Sequence, residues 1–152
     1  MLVDYLKEAS SFVGIPYQAH GRSRKGVDCY GLAMLFYKYC TGKDLPDCEY
    51  TVSSSAEQSL VIQRASFREQ FQKVEVPAPL DLVLMEYYGS PSHIGIYVGN
   101  NYILHASQRS AVILSNLTDT VGFRTMKDRV EGYYRWIYGS LHTRTYSVPP
   151  ES

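Results

Sequence analysis

Cys29 follows Asp28 where a loop gives way to an apolar helical pattern, and two histidines, His93 and His105, lie downstream. A thiol in the first turn of a helix feels the positive end of the helix dipole and unpaired backbone N–H groups, both of which favour thiolate. A thiolate served by a positioned histidine is the minimal machinery of cysteine acyl transfer. One cysteine and two histidines are also a conceivable zinc set, although no compact C-x₂-C or H-x₃-H pair supports it. A lone cysteine is ordinarily a small buried apolar residue, and a lone strand histidine an ordinary satisfied polar one. Residue types alone leave catalysis and packing both open.

The two histidines can serve one thiol only if they share a face. His93, Gly95 and Tyr97 project to one side of a strand, and Ile103 and His105 to one side of the next. Gly99-Asn100-Asn101 is a hairpin turn signal between them. Pairing Tyr97 with Asn101, or Val98 with Tyr102, puts both histidines on the same side. The first register sets His93 opposite His105; the second sets His105 opposite Gly95 and diagonal to His93. Both need a three-residue loop, and a two-residue Gly99-Asn100 loop would split the pair across the sheet. In the shared-face arrangement Cys29 is the nucleophile, His93 the base and His105 the residue that orients it. Backbone N–H groups at the helix start, that of Cys29 included, are candidates for part of an oxyanion hole.

The elements that must position these groups are legible in part. Leu2, Leu6, Ala9 and Val13 predict an amphipathic helix over 2–13, stopped by Gly14 and Pro16. Residues 17–27 read as a loop. Asp28 is a good N-cap, Leu32, Leu35, Phe36 and Tyr39 make a helical stripe, and Gly42 sits where a left-handed cap belongs. Residues 41–53 read as a loop, and Ser54-x-x-Glu57 predicts a helix running to about Phe71, with Leu60, Phe67 and Phe71 buried. The period then changes to two, predicting strands at Asp81–Tyr87, His93–Val98, Tyr102–Ala106, Ala111–Leu114 and Gly132–Tyr138. Helices first and strands later imply an α+β domain over 1–140 with a mostly antiparallel sheet, followed by a polar tail over 141–152.

Composition narrows the functional classes. Fifteen basic residues balance fifteen acidic ones, which leaves no global electrostatic footprint for nucleic acid. No apolar run approaches the ~18–20 residues needed to span a bilayer, so no membrane insertion is expected. Asp4, Lys7 and Glu8 interrupt the N-terminal apolar pattern, so no secretory signal is expected and synthesis is placed in a cytosol. Three cysteines, an odd count, fit reduced thiols better than a disulfide framework. Cys40 and Cys48 lie in no motif. Fourteen tyrosines suit half-buried packing first and a groove or partner surface second.

Gly14-Ile15-Pro16-Tyr17, then eight residues, Gly26-Val27-Asp28-Cys29-Tyr30-Gly31-Leu32, then Ser92-His93-Ile94-Gly95-Ile96-Tyr97-Val98-Gly99 and Leu104-His105-Ala106 together resemble the NlpC/P60 cysteine peptidases, papain-like cell-wall hydrolases. Tyr17 to Cys29 and His93 to His105 each span twelve residues, as in that family. The resemblance covers about residues 10–138. It implies a papain-like α+β fold with the nucleophile at a helix N-terminus, and a Cys29–His93–His105 triad without metal or cofactor. It also implies that Tyr17 and Asp28 lie near the substrate, a peptidoglycan stem peptide cut commonly between D-γ-glutamate and a diamino acid. Arg22, Arg24 and Lys25 are candidates for the stem carboxylates, although a solvated loop is the blander reading of each.

Three departures stand out. Tyr30 replaces the usual serine after the nucleophile, and Leu80-Asp81 replaces Gly-Asp at the first core strand. His20 stands where glycine is common. An aromatic at position 30 resembles the phage tail-associated branch, which makes Tyr30 a candidate substrate contact and tail-tip proteins candidate partners. That branch implies synthesis in the host cytoplasm, then a place in the tail or virion or release at the wall. Two rivals remain beside the peptidase: a tail-tip structural or assembly protein with little activity, and an acyltransferase or deamidase using the same residues.

Overall fold

The computed structural model describes residues 3–46, 69–87, 90–107 and 109–138. Helix α1 (Tyr5–Ser10) begins at Asp4, whose carboxylate accepts the Lys7 N–H at 3.1 Å. It is shorter than the predicted 2–13. The chain leaves the helix at Ser11, so the helical period does not carry to Val13: Phe12 is 0% exposed and Val13 47%. Phe12 meets Phe36 edge to face, with centroids 5.1 Å apart.

The predicted loop 17–27 holds a small antiparallel ribbon, β1 (Arg22–Ser23) and β2 (Gly26–Val27). Strands of two residues carry no readable periodicity. Helix α2 (Cys29–Thr41) follows as expected, with Asp28 as N-cap and Gly42 at φ 75° closing it, its N–H donating to Lys38 O at 2.8 Å. Its buried stripe is rotated from the predicted one: Tyr30, Ala33 and Tyr37 join Leu32 and Phe36 inside, while Tyr39 is exposed. Among the described residues no helix is long and apolar enough to cross a membrane.

The helix predicted from Ser54, with Leu60 and Phe67, lies outside the described residues. Its predicted end is corrected, because Phe71 opens a strand, β3 (Phe71–Val74). Beyond it run β4 (Leu82–Tyr87), β5 (Ser90–Gly99), β6 (Tyr102–Ser107), β7 (Ser110–Asn116), the short pair β8 (Thr120–Val121) and β9 (Arg124–Thr125), a 3₁₀ turn at Lys127–Arg129, and β10 (Val130–Trp136). The main sheet has six strands in the order β3-β10-β4-β5-β6-β7, each neighbouring pair antiparallel. The fold is therefore α+β, helices on a mostly antiparallel sheet. Leu82, Leu84, Ile94, Ile96, Val98, Leu104 and Ala106 form the sheet side of the core shared with both helices. Val83, Met85, Tyr97 and Ile103 face the other way and pack with Leu117 and Met126 from the segment around β8 and β9.

The β5–β6 hairpin decides where the histidines point. Its register pairs Gly95 with His105, Ile96 with Leu104 and Tyr97 with Ile103, the second of the two arrangements considered from sequence. The turn itself differs. Gly99 pairs with Tyr102, so Asn100 and Asn101 form a two-residue turn with φ of 54° and 66°. Such mirror-image turns suit the strand twist and demand positive φ at both central positions, which asparagine tolerates. A register shift between Tyr97 and Gly99 absorbs the extra residue. The bulge restores the histidine face that a two-residue turn alone would have lost.

Gly95 faces His105 across this pair. A Cβ there would meet Ile103 Cγ2 at 2.5 Å, Met85 Cε at 3.1 Å and His105 Cβ at 3.2 Å. Gly95→Ala is expected to destabilise the protein by about 1–3 kcal/mol through overpacking, read as a lower urea midpoint with an unchanged m-value.

Candidate active site

Three stretches of backbone converge on the start of α2. Gln18 N–H donates to Val27 O at 2.9 Å and Val27 N–H to Pro16 O at 3.0 Å, which holds Tyr17 in a parallel bridge beside β2. Asp28, with no exposure, accepts Gly31 N–H at 2.7 Å, His20 N–H at 3.0 Å and Arg22 Nη1 at 3.0 Å. The cap, the loop and the ribbon are thus tied to one carboxylate. Cys29 is the first residue of the helix that this carboxylate starts.

The Cys29 sulfur is buried, and the backbone N–H groups of Ile94 and Tyr30 bond to it. Ile94 is reachable because the last β5–β6 pair is Gly95 with His105, one residue away. Burial pushes the thiol up to about 12; the nearby Asp28 charge adds to the rise, while the Ile94 and Tyr30 N–H groups and Arg22 oppose it. The thiolate expected from the helix start is therefore corrected. Desolvation of a fully enclosed sulfur outweighs the favourable dipoles, and the cysteine rests as a thiol.

His93 and His105 meet as the shared-face register requires. His93 Nε2 and His105 Nδ1 are 3.0 Å apart, with the rings edge to face. Nitrogens that share a proton along one line do not converge on a third point, so the pair does not have the form of two zinc ligands. Burial, then the neighbouring His105, lowers His93 to about 3, and burial lowers His105 to about 4. Both rings are neutral at neutral pH.

Sequence reasoning missed one further member. Ser115 Oγ lies 2.8 Å from His105 Nε2. The predicted strand stopped at Leu114, one residue short. Carrying the period-two alternation from Ile113 across β6 would have found it.

The remaining candidates are placed plainly. Tyr17 is half-buried and packs against the core cluster that includes Cys29. Tyr30, a predicted substrate contact, is 1% exposed; its ring lies in the main core and its hydroxyl donates to Pro46 O, so it packs beneath the site. Asp28 is likewise enclosed by its three donors. Arg22 is spent on Asp28 and Gly21 O. Arg24 stacks 4.0 Å over the Phe12 ring and donates to Ser11 O. Cys40 is half-buried and burial pushes it up to about 12; Cys48 lies outside the described residues.

A sequence model of the NlpC/P60 family matches residues 14–130. The chain is 29% identical over 114 residues to the murein DD-endopeptidase MepS/murein LD-carboxypeptidase of Escherichia coli K12, covering 75% of this chain and 54% of that protein. It is 32% identical over 112 residues to the probable endopeptidase NlpC of the same strain, covering 72% of this chain and 64% of that protein. The chain thus spans about half to two thirds of the length of these relatives. The crystal structure of an NlpC/P60 family protein from Bacillus cereus ATCC 10987 superimposes with a TM-score of 0.59 at 22% identity, over 88% of this chain and 39% of that one.

Two outcomes follow from the geometry. Asp28→Asn puts an NH₂ group against at least one donor now held by the carboxylate, and is expected to cost about 1–3 kcal/mol in urea unfolding. The histidines set a pH dependence. Both rings have folded values of about 3 and 4, below the ordinary 6.5, so the unfolded chain binds more protons between those limits. Their contribution is full above pH 6.5 and is lost as pH falls toward 3–4, at up to about 1.4 kcal/mol per pH unit for each ring. Urea midpoints from pH 7.5 to 4.5 should fall more steeply for the natural chain than for the His93→Asn/His105→Asn double variant; parallel slopes would refute the assignment.

Proposed function

The chain belongs to the NlpC/P60 family, and from that membership we propose that it is a cysteine peptidase that hydrolyses the stem peptides of peptidoglycan. The observation that carries this reading is the Cys29 sulfur held at a helix start on the N–H of Ile94, the residue that follows His93 on β5, whose buried ring is paired with His105. The names of the Escherichia coli relatives, an endopeptidase of murein and a probable endopeptidase, support the substrate class.

In the proposed reaction a substrate carbonyl enters over Cys29. The sulfur attacks as its proton passes to His93 Nδ1, the ring nitrogen that does not face His105. Because the thiol rests protonated and His93 neutral, proton transfer accompanies attack and needs no preformed ion pair. The Cys29 N–H serves as an oxyanion donor to the tetrahedral intermediate. The imidazolium then protonates the leaving amine, and water activated by His93 hydrolyses the thioester. His105 holds the ring of His93 throughout, and Tyr17 is the protein's contact to substrate at the rim. Asp28 and Tyr30 shape the site from behind. The bond between D-γ-glutamate and a diamino acid is the proposed point of cleavage.

The setting we propose is a phage tail. Tyr30 supports the tail-associated branch: synthesis in host cytoplasm, association with tail-tip proteins, and action on the host wall from the virion or at release. The same aromatic also favours the rival reading of a tail component with little activity, and one variant separates the two. Cys29→Ala should retain the thermal midpoint of the natural chain and lose muropeptide cleavage by on the order of 10⁴-fold or more. Mass spectrometry of products from purified sacculi reads the loss and identifies the bond. Equal cleavage by both proteins would end the proposal.

A further inference from the structure

His93, His105 and Ser115 form one diagonal row across three strands. The β5–β6 register sets His105 opposite Gly95, one diagonal from His93. The β6–β7 register sets His105 opposite Ile113 and Ile103 opposite Ser115, so Ser115 is the diagonal neighbour of His105 on the same face. Two contacts join the row, 3.0 Å between the rings and 2.8 Å from His105 Nε2 to Ser115 Oγ.

A neutral imidazole carries one proton and one lone pair, on different nitrogens. For His93 to take a proton from Cys29, its Nδ1 must be bare and its proton must sit on Nε2. That Nε2–H then points at His105 Nδ1, which must also be bare. The proton of His105 is forced onto Nε2, where it needs an acceptor. Ser115 Oγ, at 2.8 Å, can accept it, and the same hydroxyl can donate to a bare Nε2. Without it, His105 can place its proton on Nδ1, donate to His93 Nε2 and drive the His93 proton onto the nitrogen that should receive one from the thiol. The base would then be blocked at its working position.

We propose that Ser115 is a positioning residue: by accepting the His105 Nε2–H it supports the tautomer of both histidines in which His93 keeps a bare Nδ1, in a row His93–His105–Ser115. The catalytic consequence and the choice of tautomer both rest on the peptidase reading, because it is the proton taken from Cys29 that requires a bare His93 Nδ1; the spectra read the tautomers without reference to activity. The segment that carries Ser115 is itself anchored: Gly14 N–H donates to Val112 O at 2.9 Å and Val112 N–H to Ile15 O at 2.8 Å, so β7 is pinned at its outer edge by residues leading to Tyr17.

The test has a spectroscopic arm and a kinetic arm. Long-range ¹H–¹⁵N correlation spectra of the natural chain at pH 7.5 should show protonated Nε2 and bare Nδ1 on both histidines. In Ser115→Ala, His105 should shift toward the Nδ1–H form. With sacculi as substrate, kcat should fall on the order of 10-fold, a part of the ~10²–10⁴ that positioned acid–base catalysis supplies, while KM stays within about twofold. Ser115→Thr, which keeps the hydroxyl, should restore both readouts. A natural chain with His105 protonated on Nδ1 overturns the proposal, as does Ser115→Ala with unchanged tautomers. A loss of activity that tracks the thermal midpoint and is not rescued by threonine overturns it too. If the natural chain cleaves no sacculi, the peptidase reading falls and the spectra still decide the tautomers.

Discussion

A single buried carboxylate sets the geometry on which the site depends. Asp28 gathers donors from the 20–22 segment and from the first turn of α2, and no water reaches it. Burying that charge is tolerable only because each donor is present and one of them is the Arg22 cation. The closure is tight enough to dictate nearby residue types. A Cβ on Gly31 would meet Gly21 O at 2.0 Å, and one on Gly21 would meet Gly26 O at 2.2 Å. The DCYGL motif thus reads as a packing solution as much as a chemical one. It also explains the state of the thiol, because the same enclosure that fixes Cys29 desolvates it and places a like charge beside it.

The opposite wall of the site is held from further away. Arg135 on β10 bonds both Asp81 oxygens, at 2.9 and 2.8 Å, and Asp81 also accepts Ala78 N–H at 2.7 Å. The same corner exchanges backbone bonds with β5: Leu80 N–H donates to Tyr97 O and Tyr97 N–H to Asp81 O, each at 2.8 Å. The far end of the histidine-bearing strand is therefore clamped where its register shift begins. A bulge is free to slip unless its flanks are pinned, and here a slip of one residue would send His93 to the wrong face.

Much of this was legible because chemistry and local signals coincide. The N-cap and the αL glycine bound α2 correctly, and alternation placed His93 and His105 on one face. What escaped lacks a local signature. Two-residue strands have no period, and Phe71, apolar in either reading, starts a strand after Gln70. The turn at Asn100-Asn101 hid its true length because a bulge compensates for it. His20 and Leu80 show the converse. They depart from family glycines, and both adopt positive φ, 59° and 80°. A non-glycine residue at such an angle bears a steric cost of roughly 1–2 kcal/mol. His20 is exposed, and its amide still reaches Asp28.

The resting electrostatics follow from one trade. A helix start, two backbone donors and a nearby arginine would ordinarily expose a thiolate, and burial cancels them. The same burial strips charge from both imidazoles. Burial favours the neutral thiol and the neutral imidazoles alike, while the Ile94 and Tyr30 N–H groups and Arg22 favour a thiolate. In the proposed reaction, reactivity depends on direction: whether His93 presents a lone pair or a proton to the sulfur. Along the row the ring nitrogens meet neutral partners, His105 at His93 Nε2 and Ser115 at His105 Nε2. In the proposed peptidase, the row of hydrogen bonds from His93 to Ser115 stands where a third-residue carboxylate would otherwise orient the base.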